Sequence, residues 1–186
     1  MLAYTLKNLF KFRSELRGIT KNKQHCYSTV LSINPEALKS EGIRILALDF
    51  DGVLNIHNAS HVTPSVLAWM KQCCDVFEEK NLYLHSNNNL DKRLRFLKRH
   101  FPDMQILNPN KKKPYPDGLQ SITQQTQIPP DQIALVDDRL LTGMLAATQA
   151  GCYGVYITQP FCDFEHSPFY ETAFWLLRKL EYFLLW

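Results

Sequence analysis

Acidic side chains stand close together at two places in this sequence of 186 residues. Asp49 and Asp51 are separated by one residue, and Asp137 and Asp138 are adjacent. In the first pair, one carboxylate can attack phosphorus while the other protonates the leaving oxygen. Because carboxylates this close repel one another, the pattern also predicts a hard divalent cation such as Mg²⁺, for which Asp137 and Asp138 would supply further oxygen ligands.

Groups that can bind phosphate lie between the two acidic pairs. Ser86 and the backbone amides after it can bind phosphoryl oxygens, and a lysine should neutralise the charge that develops there. The stretch Lys111-Lys-Lys113-Pro supplies that lysine. Lys113 is the candidate, while Lys111 and Lys112 are expected to lie in a solvated turn.

The elements that must position these groups can be predicted from apolar patterning. Strands are predicted by five short apolar runs, at residues 44–49, 81–85, 104–107, 132–136 and 153–157. Helices are expected between them, at residues 63–74, 90–100, 116–126 and 141–150. Alternation of this kind predicts an α/β fold, a three-layer sandwich with a parallel sheet of about five strands. Since chemistry in such sheets sits beyond the carboxyl ends of the strands, we expect the polar groups to converge there.

The composition argues against several classes of protein. The chain is 45% hydrophobic, which excludes a disordered protein, and no apolar run reaches the roughly 18 residues that span a bilayer. Five cysteines without a C-x-x-C pair argue against a zinc module or a disulfide scaffold. Residues 1–25 carry six basic and one acidic side chain, whereas the remainder carries 15 basic and 17 acidic ones. The body of the protein is therefore slightly acidic, and we expect no nucleic-acid partner.

Four stretches resemble, in order, the motifs of haloacid dehalogenase (HAD) superfamily phosphatases. They are Asp49-Phe-Asp-Gly-Val, Ser86-Asn-Asn, Lys113-Pro and Val136-Asp-Asp. Residues 30–160 are further similar to the YqeG-type HAD-IIIA family, through Ser32-Ile-Asn-Pro, Thr63-Pro64 and the run that follows Asp138. That family includes phosphatidylglycerophosphate phosphatases, which remove a phosphate from a lipid head group at a membrane surface.

The resemblance assigns a role to each candidate residue in a Mg²⁺-dependent phosphomonoester hydrolase. Asp49 would be the nucleophile that forms an aspartyl-phosphate, and Asp51 the general acid and then the general base. Ser86 and Asn87 would bind the phosphate, and Lys113 would stabilise the phosphoryl group.

The same resemblance implies that Asp49, Asp138 and the backbone carbonyl of Asp51 hold the metal ion. Whether Asp137 or Asp138 is the principal ligand from the second pair stays open. The family writes Gly-Asp-x-x-x-Thr-Asp where this chain has Asp137-Asp-Arg-Leu-Leu-Thr-Gly143. The last acidic residue of the pattern is therefore missing, and a new one precedes Asp138.

The spacing of the motifs predicts an uncovered site. Only 34 residues separate Asp51 from Ser86, and 26 separate Ser86 from Lys113. The predicted helices and strands use both intervals, which leaves no room for a cap domain. A bulky substrate is therefore expected: phosphatidylglycerophosphate first, and a phosphoprotein or another macromolecular phosphate as the alternative. A catalytically weak HAD body used as a binding module is the remaining alternative.

We expect three regions: a basic amphipathic N-terminal segment (1–30), a HAD-like catalytic domain (31–160) and an aromatic C-terminal helix (161–186). Alternatives for the first are an interfacial helix, a helix docked on its own domain, or a transit segment. In the third, an apolar face around Leu176 and Leu180 can pack on the domain, while a second stripe of Trp175, Tyr182 and Trp186 suits a bilayer interface or a partner. Membrane or partner contact and plain packing on the domain both stay open for this helix. The protein is expected to be intracellular and peripheral on a membrane, and mitochondrial if its source is eukaryotic. The oligomeric state is not predicted.

Other polar residues near the site are expected to have structural roles. His85 should be packed or hydrogen-bonded, His57 and His61 should lie in a surface loop, and Arg139 should pair with Asp138. The basic residues of the predicted helix 90–100 should form a solvated face; they are Lys92, Arg93, Arg95, Lys98, Arg99 and His100.

Overall fold

The computed structural model describes residues 1–88 and 91–186 of the chain. Helices in these ranges are α1 (Leu2–Lys11), α2 (Arg13–Lys21), α3 (Pro35–Ser40), α4 (Pro64–Phe77), α5 (Asp91–His100), α6 (Asp117–Thr126), α7 (Leu145–Ala150) and α8 (Pro168–Leu185). Strands are β1 (Cys26–Tyr27), β2 (Ile45–Leu48), β3 (Leu82–Leu84), β4 (Gln105–Ile106), β5 (Ile133–Asp137) and β6 (Tyr153–Ile157). A π-helical turn, Leu140–Met144, precedes α7. The predicted start of α5 at Leu90 lies outside the described residues.

The strands form one parallel sheet in the order β1-β6-β5-β2-β3-β4. The predicted α/β architecture is thus confirmed, with six strands in the described part of the chain where about five were expected. The additional strand, β1, pairs with the edge of β6, where Thr158 N donates to Tyr27 O over 2.9 Å. Two residues are too short a run to give an apolar pattern, which is why the sequence did not predict this strand.

The sheet is buried on both faces, as its continuous apolar strands require. Along β2, Leu46 and Leu48 belong to a cluster that includes side chains of α4, such as Met70. Ile45 and Ala47 point to the opposite face and belong to a cluster that also holds side chains of α6 and α7. Helical layers therefore cover both faces, and strand ends are left as the place where polar side chains can reach solvent.

The N-terminal segment forms two helices that separate at Phe12, where a single helix was expected. Leu9 and Leu16 are buried in one cluster with Leu185 at the end of α8. Leu2, in contrast, is 73% exposed. Part of the predicted apolar face therefore packs on the protein's own C-terminal helix, and part of it faces solvent.

Helix α8 is oriented opposite to the alternative in which its apolar face packs on the domain. Glu171 and Glu181 are buried, whereas Leu180 is 50% exposed and Phe183 is 76% exposed. The domain has polar partners for the buried charges of α8, so these charges are retained while every leucine of the helix except Leu185 is exposed. Among the described residues, no helix has both the length and the apolar character needed to cross a membrane.

Candidate active site

The predicted catalytic residues meet at the carboxyl ends of three neighbouring strands. Asp49 directly follows β2, Ser86 follows β3 after one residue, and Asp137 is the last residue of β5. These strands are adjacent in the sheet, and Asp49 and Ser86 border one pocket of about 170 Å³, whereas Asp137 is buried and does not line it. Its lining consists of Asp49, Asp51, His57, Ser86, Asn87, Asn88, Lys113, Asp138, Arg139, Thr142, Tyr170 and Phe174.

Three carboxylates form a cluster in which each offers an oxygen within 4.8 Å of the others: Asp49, Asp137 and Asp138. Burial, opposed by Lys113, raises the pKa of Asp49 to about 7. Burial, opposed by Arg178, raises the pKa of Asp138 to about 6. The cluster is consistent with a metal site, because a hard divalent cation prefers oxygen ligands and would relieve the repulsion among the carboxylates.

Lys113 enters this cluster as a buried cation. Its Nζ lies 2.5 Å from Asp137 Oδ2 and 3.1 Å from Asp49 Oδ1. Burial alone would lower the pKa of Lys113, but the carboxylates of Asp137 and Asp49 outweigh it and raise that pKa above its ordinary value. Asn87 fixes the backbone of the lysine: its Oδ1 accepts from Lys113 N over 2.8 Å, and its Nδ2 donates to Lys113 O over 2.9 Å. Lys113 is thus held in place from both its side chain and its main chain.

The carboxylate of Asp51 lies outside the aspartate cluster and is bound by donors from other elements. Arg93 donates to both of its oxygens, from Nη1 over 2.9 Å and from Nη2 over 2.6 Å. Asn88 Nδ2 donates over 2.7 Å, and the backbone amide of Asn58 donates over 3.1 Å. Burial raises the pKa of Asp51, but the hydrogen bonds from Arg93 and Asn88 outweigh it and hold that pKa below its usual range.

Arg93 contradicts the expectation that all the basic residues of α5 form a solvated face. Its side chain is 4% exposed, its Nε donates to Ala59 O over 2.9 Å, and its guanidinium lies 4.1 Å from the centre of the Phe50 ring. A sequence signal for this existed, since Arg93 lies four residues before the buried Leu97 and therefore on the same helical face.

Two glycines allow the acidic residues to sit where they do. Gly52 has a φ of +79°, and a Cβ there would lie 2.8 Å from Asp138 Oδ2. A Cβ at Gly143 would lie only 2.0 Å from Asp137 Cγ. Any side chain at 143 is therefore incompatible with the present position of Asp137. The chain's two departures from the family pattern, an added acid at 137 and a missing one at 143, are thus physically coupled.

Helix α8 contributes to the site, which the sequence did not predict. Arg178 Nε donates to Asp138 Oδ2 over 2.7 Å, whereas Arg139 pairs with Glu181 through its Nε at 2.8 Å. The expected pair of Arg139 with Asp138 is therefore wrong. Partners 40 residues apart leave no local pattern, so no sequence signal pointed to Arg178.

Of two histidines near the site, His85 has the predicted environment and His57 does not. His85 is fully buried, as expected for a packed residue, and burial together with Lys113 lowers its pKa to about 3. His57 was expected on a surface loop, but its side chain is 5% exposed and its Nδ1 lies 3.3 Å from Glu171 Oε1. Its ring also packs on Phe174 of α8, with centroids 4.3 Å apart. The position of α8 is what buries it.

A parallel α/β sheet with clustered aspartates at the ends of its central strands and a buried lysine beside them is the arrangement expected of a phosphatase of the haloacid dehalogenase kind. The model of the family described as "Mitochondrial PGP phosphatase" matches residues 19–162. The chain belongs to this family.

Comparison with solved structures gives distant likenesses. An uncharacterized protein from Listeria monocytogenes serotype 4b is 14% identical with a TM-score of 0.46, over 74% of this chain and 99% of that one. A haloacid dehalogenase-like hydrolase from Streptococcus pneumoniae is 12% identical with a TM-score of 0.45, over 73% and 99%. A HAD family hydrolase from Deinococcus radiodurans R1, with bound phosphate and sodium, is 17% identical with a TM-score of 0.37, over 60% and 79%. The comparison with curated proteins returns no match.

Proposed function

We propose that this phosphatase is a Mg²⁺-dependent phosphomonoester hydrolase that works through an aspartyl-phosphate on phosphatidylglycerophosphate. The observation that carries the proposal is the placement of Asp49 at the pocket, 3.1 Å from Lys113 and clustered with Asp137 and Asp138. A nucleophile, a charge-neutralising lysine and a set of metal ligands are the parts that phosphoryl transfer needs.

The proposed reaction has two steps, each with a defined role for Asp51. Asp49 attacks phosphorus, the bond to the leaving oxygen breaks, and Asp51 gives that oxygen a proton. Because Arg93 and Asn88 hold the pKa of Asp51 low, this carboxyl must first leave the two-pronged contact with Arg93 and take up a proton from solvent. Asp51 then takes a proton from the water that attacks the aspartyl-phosphate, which releases inorganic phosphate and regenerates Asp49. Lys113 balances charge on the phosphoryl oxygens, while Ser86 and the backbone amide of Asn87 bind them.

The metal ion is proposed to be held by Asp49, Asp138 and the backbone carbonyl of Asp51, with Asp137 beside them. When bound, Mg²⁺ would supply positive charge that stabilises the phosphoryl oxygens. Asp137 Oδ2 accepts from Lys113 over 2.5 Å and its Oδ1 accepts from Arg139 N over 2.9 Å. Both of its oxygens are thus in use, which favours Asp138 as the principal ligand of the second pair.

The size of the pocket supports a bulky substrate. A volume of about 170 Å³ is smaller than the roughly 300–1,000 Å³ of sites that enclose a whole small molecule. Within residues 1–88 and 91–186, no inserted domain stands over it. The phosphoryl end of a substrate can therefore enter while the rest remains outside, as a lipid embedded in a bilayer would require.

Exposed apolar side chains support a peripheral contact with the membrane that carries such a lipid. They include Phe169, Leu176, Leu180 and Phe183 on α8, Trp186 directly after it, and Leu2 and Phe10 at the N-terminus. Basic side chains accompany the aromatic end of α8: Lys21 Nζ lies 4.6 Å from the centre of the Trp186 ring. Aromatic and basic residues together suit an anionic membrane interface. With the family description, we propose a mitochondrial membrane as the site of action if the source is eukaryotic.

The substrate is tested by comparing phosphate release from phosphatidylglycerophosphate in vesicles, from phosphopeptides and from an aryl phosphate. We expect kcat/KM to be about 100-fold higher for the lipid than for any phosphopeptide. Only for the lipid does contact between the protein and the membrane add binding energy to the contacts made in the active site. Chelation of Mg²⁺ should abolish release from all three. A preference for phosphopeptides would favour the macromolecular alternative, and no release from any substrate would favour a binding module.

Arg93 offers a test of the role of Asp51. Arg93→Gln removes the two-pronged contact that orients this carboxylate, and we expect kcat for the aryl phosphate to fall about 10- to 100-fold. The matched control is Arg95→Gln, an exposed arginine of the same helix, which should change kcat less than about twofold. Equal kcat values for the two variants would refute the positioning of Asp51 by Arg93.

A further inference from the structure

Three polar contacts attach α8 to the active-site face of the domain. Glu171 contacts His57, Arg178 contacts Asp138, and Glu181 contacts Arg139 and the backbone amide of Leu140. Positions 171, 178 and 181 are separated by seven and three residues, so they share one face of the helix. Of the three contacts, only the one made by Arg178 reaches a proposed metal ligand.

Arg178 binds one oxygen of Asp138, a carboxylate of the proposed metal site. Its Nε lies 2.7 Å and its Nη2 2.5 Å from the same oxygen, Asp138 Oδ2. The side chain of Asp138 is 2% exposed and that of Arg178 is 10% exposed, so little water screens the pair. The guanidinium therefore acts here as the positive partner of a buried carboxylate.

The charge balance of the cluster changes when a divalent cation is added. Asp49, Asp137 and Asp138 carry three negative charges when ionised, and Lys113 and Arg178 leave one of these unbalanced. A divalent cation and Lys113 balance all three without Arg178. The guanidinium then becomes a surplus positive charge beside a bound cation, and like charges in a poorly screened site repel strongly.

We propose that Arg178 and the divalent cation compete for Asp138, so that cation binding releases Arg178 and loosens the middle of α8 over the active site. The inference rests on the cation of the proposed function. In this proposal Arg178 is a positioning residue. When the metal site is empty, Arg178 holds α8 near the active site, and when the cation binds, a bulky substrate gains access to that site.

A groove next to Arg178 can accommodate its side chain after release from Asp138. This groove has a volume of about 420 Å³ and is bordered by Tyr156, Cys162, Trp175 and Tyr182. Arg178 Nη1 already lies 4.0 Å from Cys162 Sγ at its edge. Aromatic faces in such a groove can receive a guanidinium. Because the contacts of Glu171 and Glu181 involve no metal ligand, both ends of the helix stay attached while its middle loosens.

Hydrogen exchange on the wild-type protein, with and without Mg²⁺, tests the coupling directly. We expect Mg²⁺ to raise the exchange of backbone amides around Arg178 by about fivefold or more, while the buried strand β2 is unaffected. Calorimetric titration of the same samples shows whether Mg²⁺ binds. Binding with unchanged or slower exchange around Arg178 would overturn this inference alone, whereas no binding would overturn the proposed metal site as well.

A substitution at the same position tests the competition. Arg178→Met should bind Mg²⁺ about tenfold more tightly in calorimetry, because the cation no longer displaces a partner of Asp138, and its α8 exchange should no longer respond to Mg²⁺. The control is Lys179→Met, which removes the same charge from an exposed neighbour on the helix. Equal affinities for the two variants would contradict competition. If Arg178→Met does not fold, the wild-type exchange result decides.

Discussion

Asp49→Asn should abolish phosphate release, lowering kcat by about 10⁴-fold or more on every substrate. The amide is nearly isosteric with the carboxylate but is too weak a nucleophile to attack phosphorus. Burial raises the pKa of Asp49, so the ionised carboxylate is disfavoured at this place when no cation is bound. Asn carries no charge, so we expect the melting temperature of the variant to be no lower than that of the wild type.

Exposed Asp103 provides the matched control, since Asp103→Asn makes the same chemical change away from the pocket. It should leave both kcat and the melting temperature unchanged. The decisive measurement is kcat for an aryl phosphate, alongside circular dichroism to verify folding. A folded Asp49→Asn protein that retains hydrolysis would exclude Asp49 as the nucleophile.

Gly143→Ala is expected to disable the site by steric displacement, although it adds only a methyl group. The new Cβ would lie 2.0 Å from Asp137 Cγ, so the buried Asp137 side chain must move. Lys113 depends on that side chain for its 2.5 Å contact, and its ammonium group would be left with Asp49 alone. Overpacking of this kind destabilises a fold by about 1–3 kcal/mol, and a displacement of about 1 Å can lower kcat about 100-fold.

Two further variants separate the steric cause from a general effect of glycine replacement. Gly18 lies in α2 with no neighbouring atom within 4 Å of a Cβ, so Gly18→Ala should leave stability equal or slightly raised. Combining Gly143→Ala with Asp137→Ala should remove the clash but not restore activity, because Lys113 has lost a carboxylate. A Gly143→Ala protein with wild-type melting temperature and kcat would show that Asp137 can be rearranged freely.

Local patterns were sufficient to predict the centre of the fold and to bring the candidate residues together. A strand buried on both faces is a continuous apolar run, and parallel strands order their carboxyl ends along one edge, so Asp49, Ser86 and Asp137 had to be neighbours. The roles assigned to these residues stay predictions. The family description, by contrast, agrees with the resemblance that the motifs carried.

What the sequence could not reveal depends on contacts between distant segments. Arg178 looks like an ordinary solvated residue because its carboxylate partner lies about 40 residues away in the chain. The helical position of Arg93 indicated that it faces inward, but not which carboxylate it binds. The orientation of α8 differs from the prediction because an amphipathic pattern predicts that the apolar side of a helix faces the domain. That pattern contains no information about the carboxylate and amide groups of the domain that bind the charged side of α8. The short strand β1 forms only because β6 offers it an edge.

The reciprocal hydrogen bonds between Asn87 and the main chain of Lys113 have a consequence for how this site can change in evolution. Because the lysine loop is anchored through its backbone by a residue 26 positions earlier, the side chains around Lys113 in that loop are not needed to place it. Substitutions of Lys111 or Lys112 are therefore expected to leave the position of Lys113 unchanged. Surface chemistry next to the pocket is free to adapt to new substrates, whereas Asn87 and Lys113 must be kept together.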